Sequence, residues 1–77
     1  MRKIKLIWDM HGPDSAQTAA HHARHLGEFA LKEDISQFGC DSESISERHH
    51  IAFLIVEEKD MITVRDALRP ARAQVAE

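Results

Sequence analysis

The chain has 77 residues, 43% hydrophobic and 30% charged, and its 10 Lys+Arg against 13 Asp+Glu give a formal charge of −3. That length allows one domain, residues 1–77, with a thin core of the kind that self-association commonly completes. An acidic balance without a long basic run speaks against a nucleic-acid partner, whose phosphates demand many Lys and Arg contacts.

Cys40 is the only cysteine, so no disulfide closes within the chain. Met1 to Asp9 carries basic residues but lacks the apolar run of a signal peptide. No stretch approaches the roughly 20 apolar residues that span a bilayer. A cytoplasmic protein with no membrane partner is expected. Six residues are histidine, against roughly two in an average chain of this length.

Residues 3–9 alternate, with Ile4, Leu6 and Trp8 on one side, and predict a strand. His11-Gly12-Pro13-Asp14-Ser15 breaks it. Pro13 suits the first position of a helix, and Gly12 or Asp14 its cap. The helix runs from about 14 to 33, with Ala19, Ala23, Leu26, Phe29 and Ala30 on one stripe. Its small residues permit a close approach to a sheet.

Residues 34–48 are the least legible. Ile35, Phe38 and Cys40 suggest a short edge strand, and Asp41-Ser42-Glu43-Ser44 a solvated turn. Residues 49–57 are the clearest strand, with Ile51, Phe53 and Ile55 on one face and Ala52, Leu54 and Val56 on the other. A strand apolar on both sides needs cover on both. A second helix is predicted from about 60 to 69, capped by Asp60, with Met61, Val64 and Leu68 as its stripe and Pro70 ending it. The competing assignment makes Met61–Leu68 a strand paired with 49–57.

The fold class is therefore α+β: a small sheet with two helices packed on one face, in the order β-α-(β)-β-α. Crossover handedness places both helices on the same side. The other side is left for a second copy of the chain, so a homodimer is expected.

Ile7-Trp8-Asp9, Gly12-Pro13-Asp14, Thr18-Ala19-Ala20-His21-His22, His25-Leu26, Phe29 and Arg65-Asp66-Ala67-Leu68-Arg69-Pro70 resemble a family of short uncharacterised bacterial proteins. The order of elements is similar to part of the ferredoxin-like plan of dimeric α+β barrel proteins, whose final strand is not evident here. That resemblance implies a ferredoxin-like sheet and a dimer, and carries no activity with it.

Asp9 and His11 stand where a strand ends and a helix begins, on the same side of the extended chain. They are the candidate catalytic acid–base pair. His21 and His25, at i and i+4, have the spacing of helical metal ligands, and a strand histidine, His49, is the candidate third ligand. His49 and His50 must point to opposite faces. The zinc-protease pattern is broken because His22 stands where Glu is needed. His22, His25, Arg65 and Arg69 are candidate ligand-binding residues. Arg65, Arg69 and Arg72 align as an anion-binding stripe if the helix continues past Pro70. Cys40 has only Asp41 beside it, which disfavours a thiolate.

These features predict a small homodimeric binding or regulatory module taking a small anionic ligand between helix and sheet, with no cofactor. The alternative is a small enzyme using Asp9 and His11 in acid–base chemistry or a histidine metal site.

Overall fold

The computed structural model of the chain describes residues 2–76. It contains β1 (Lys3–His11), α1 (Ser15–Lys32), β2 (Gln37–Ser46), β3 (His49–Glu57), α2 (Glu58–Leu68) and β4 (Arg72–Val75). The strands form one antiparallel sheet in the order β2-β3-β1-β4. Four strands and two helices make a small α+β protein.

Register decides which side chains meet. Leu6 lies opposite Leu54 and Trp8 opposite Ala52, so the even-numbered residues of β1 and β3 share a face. There Ile4, Leu6, Trp8, Ala52, Leu54 and Val56 pack against Ala23, Leu26 and Ala30 of α1 and Val64 of α2. Both helices thus lie on one side of the sheet. Trp8 donates from Nε1 to the Leu68 carbonyl at 2.8 Å, satisfying a buried indole and one of the carbonyls that the end of α2 leaves unpaired.

Local chemistry fixes the helix ends. Gly12, at φ 108°, takes the turn from β1 in a conformation that L side chains rarely adopt. Asp14 is the cap position of α1 but makes no side-chain capping bond. Pro13 therefore stands outside the helix rather than at its first position. At the other end, Asp34 adopts a left-handed φ of 56°, while Ile35 N–H donates to the Ala30 carbonyl and Asp34 N–H to that of Leu31. This is a Schellman ending, with an aspartate where glycine is commonest.

Several boundaries differ from the sequence expectation. The order is β-α-β-β-α-β, not β-α-(β)-β-α: a sixth element, β4, follows Pro70 and pairs with β1. Arg69 turns left-handed at φ 48°, so the helix stops there and Arg72 leaves the stripe drawn through Arg65 and Arg69. Asp41-Ser42-Glu43-Ser44 is not a turn but the middle of β2, which bonds to β3 and is irregular at Phe38 and Ile45. The reversal comes later, at Glu47 and Arg48. Residues 61–68 are helical, and α2 begins at Glu58, two residues ahead of the expected Asp60 cap.

The face away from the helices carries Ile7, Ile51, Phe53 and Ile55. Ile7 is 1% exposed and Ile51 3%, while Phe53 and Ile55 are half-buried. Part of this row is therefore covered by the chain's own side chains rather than left bare. Lys5 lays its ammonium over the Phe53 ring, 4.4 Å from the centroid, and bonds Glu43 at 3.2 Å. Lys3 sits likewise over Phe38, which remains exposed. Each cation gains from the ring face while its methylenes shield apolar surface.

Candidate functional site

On this helix-free face the sheet assembles a cluster of polar side chains. Asp9, on β1, is flanked by the strands on either side: Ile51 of β3 lies opposite it, and Ile7, two residues earlier, lies opposite Arg72 of β4. The diagonal neighbours on its own face are His49 and Arg72, close enough for long side chains to meet. His49 donates from Nε2 to Asp9 Oδ1 at 2.7 Å. Arg72 donates from Nε to Oδ2 and from Nη2 to Oδ1, both at 3.1 Å. The guanidinium fork matches the carboxylate, and such paired charge-assisted bonds are strong and directional.

Arg72 foremost, and then His49, draws the Asp9 carboxyl from the ordinary 3.8 down to about 2. The carboxylate stays ionised and acceptor-only at neutral pH. His11, directly opposite His49 in the ladder, stacks on it with ring centroids 4.2 Å apart and 21° between planes. Asp9 holds the His49 proton on Nε2, so in the neutral ring Nδ1 keeps its lone pair. The cluster can accept or donate a proton at His49, and it presents a cation beside it.

The expected partners Asp9 and His11 do share this site, but Asp9 bonds His49 instead of His11. Arg72, assigned by sequence to a helical stripe, completes the cluster from another element. Its only sequence signal is the alternation of Ala71, Arg72, Ala73 and Gln74 after Pro70.

His49 does not join His21 and His25, for it lies on the opposite side of the sheet from α1. The two helical histidines do meet, with Nε2 atoms 3.0 Å apart, and His25 Nδ1 lies 3.1 Å from Glu28 Oε1. Among the described residues, no group of three or more His, Cys, Asp or Glu side chains could hold a metal ion. Arg65 and Arg69 line a surface cavity of about 360 Å³ with Asp66 and Pro70.

His22 is packed, not presented. Its ring meets Trp8 edge-on with centroids 5.3 Å apart, and its Nε2 is buried without a hydrogen-bond partner among the described residues. Burial foremost, with His25 and His21 nearby, holds its pKa below the ordinary value. It therefore belongs to the packing between helix and sheet. Cys40 donates its thiol to the Ala23 carbonyl, and burial, then Asp41, raises its pKa.

Sequence reasoning missed one further pair: Ser15 Oγ and His50 Nδ1 lie 2.7 Å apart. A serine beside an imidazole has the makings of a nucleophile, but Ser15 is 2% exposed and no substrate atom reaches it. The pair fastens the start of α1 to β3. No helix among the described residues is long and apolar enough to cross a membrane.

Comparison of the chain with family models, curated proteins and solved structures gives no match.

Proposed function

We propose that the chain is a small homodimeric binding or regulatory module that takes a small anion on the helix-free face of its sheet, at Arg72, His49 and His11. The observation that carries this reading is the cluster on Asp9. Three different strands bring Arg72, His49 and His11 together on the face that the helices leave open. Asp9 holds the Arg72 guanidinium through Nε and Nη2, and Nη1, which bonds no other described residue, can reach a carboxylate or phosphate oxygen.

The dimer is part of the same proposal. Phe38, Phe53 and Ile55 retain exposed apolar surface on this face, Phe38 being 46% exposed. Lys3 and Lys5 on β1 lie two strands from Asp41 on β2, whose register partner is Phe53. A two-fold axis can set one copy's cations against the other's carboxylates. The strand arrangement β4-β1-β3-β2 and the β-α-β-β-α-β order support the ferredoxin-like, dimeric α+β barrel-like plan. A reducing, cytoplasmic setting suits a chain with one cysteine.

The 2.7 Å bond between His49 and Asp9 favours a second reading: a small enzyme in which His49, oriented by Asp9, moves a proton.

Sedimentation equilibrium at micromolar chain, combined with imidazole NMR during titration with inorganic phosphate, tests the proposal. The expected result is a species of twice 8.8 kDa, with saturable shifts of His11 and His49 that Arg72→Gln abolishes. A clean monomer overturns the dimer. Histidine resonances unmoved by phosphate overturn the anion site and leave the proton-transfer reading.

A further inference from the structure

We infer that His21 and His25 form a two-imidazole chelate on the exposed face of α1 for a divalent transition-metal ion of the nickel and copper class. Three observations converge on it. The first is the separation of 3.0 Å between the two Nε2 atoms. Two metal–nitrogen bonds of about 2.1 Å at a right angle set their nitrogens about 3.0 Å apart, whereas a tetrahedral angle sets them about 3.4 Å apart. That separation is also the length of the hydrogen bond between the two rings, so both nitrogens stand within reach of one ion, and the affinity order of imidazole sites favours copper and nickel.

The second is the proton arrangement. Glu28 Oε1 lies 3.1 Å from His25 Nδ1, and Glu28 Oε2 lies 3.5 Å from Arg24 Nε. In neutral His25 the proton then sits on Nδ1, where it donates to Glu28. His25 Nε2 is bare, and His21 Nε2–H donates to it. This is the carboxylate–histidine pairing that orients imidazole ligands in metal sites. When an ion enters, His21 moves its proton from Nε2 to Nδ1, both Nε2 lone pairs face the metal, and no net proton is lost from a neutral pair. If one ring is an imidazolium, its proton goes to solvent.

The third is access. Both histidines are exposed, and His21 borders a surface cavity of about 390 Å³ lined also by Asp14, Gln17 and Thr18. That space accommodates the waters needed to fill the other coordination positions.

The full, untagged chain titrated with nickel chloride, followed by calorimetry and imidazole NMR, tests the site. One ion per chain is expected, with paramagnetic broadening strongest at His21 and His25 and weaker binding of zinc. His25→Ala should abolish this binding, His49→Ala should leave it unchanged, and Glu28→Gln should weaken it about tenfold or more. Circular dichroism establishes that each variant is folded, and all three positions lie outside the buried core. Nickel binding that survives in His25→Ala overturns the site. Broadening centred on His11 and His49 also overturns it, and Glu28→Gln with wild-type affinity overturns the carboxylate's role in orienting the ligand.

Discussion

Asp9 shows how much one residue's surroundings alter its chemistry. The same carboxylate on an open strand would titrate near 3.8, and here Arg72 and His49 hold it at about 2. Because its pKa is lowered on folding, Asp9 contributes stability that is fully present above the ordinary carboxylate value and is lost as pH falls toward 2. Arg72→Gln removes the larger influence. The Asp9 carboxyl should then titrate closer to the ordinary value, read from the carboxylate carbon shift against pH. The stability difference between the two proteins should shrink as pH falls from about 4 to 2. A titration curve unmoved by the substitution shows that the bidentate pair does not form in solution.

Among the elements, the Schellman ending of α1 offers a clean test because one residue bears the strain. Asp34→Gly should raise stability by about 0.5–1 kcal/mol, since glycine adopts positive φ without steric cost. It should do so by moving the urea midpoint while leaving the slope alone. Loss of stability would show that Asp34 contributes something its backbone conformation conceals. This helix end was legible within a residue, expected at about 33 and found at Lys32, although no glycine announces it. The elements that sequence does reveal are those with many buried side chains: β1 through Ile4, Leu6 and Trp8, α1 through its alanine and leucine stripe, and β3 through two apolar faces. β2 was obscured because Cys40 is its main inward residue and two irregularities break its alternation. β4 is exposed at all four positions. Backbone pairing makes it a strand, and the short alternation from Ala71 to Gln74 is the only trace of it in the side-chain pattern. The candidate site divides on the same line. Alternation alone put Asp9 and His11 on one side and separated His49 from His50. The bond between Asp9 and His49 required the β1–β3 register, and Arg72 required β4.

At the scale of the whole molecule, the sheet joins distant parts of the chain: Asp9 and Arg72 are 63 residues apart. β4 is four residues long and lies at an edge, held by its ladder with β1 and by Arg72. Elements with little buried surface open first, and their opening does not require the rest to unfold. Amide exchange should therefore be fastest, within the sheet, at the β4 amides that bond to β1, and slowest along Ile51–Val56, with Arg72→Gln widening the gap. Uniform protection across the sheet would mean that β4 is as firmly built in as β3. The topology has a kinetic corollary. β2 and β3 are joined by a two-residue turn, and α1 packs on both, so these contacts close short loops and can form early. Pairing of β1 with β4 closes the longest loop in the molecule. The Asp9 cluster should thus mature late in refolding, with recovery of the lowered Asp9 pKa lagging behind burial of Trp8.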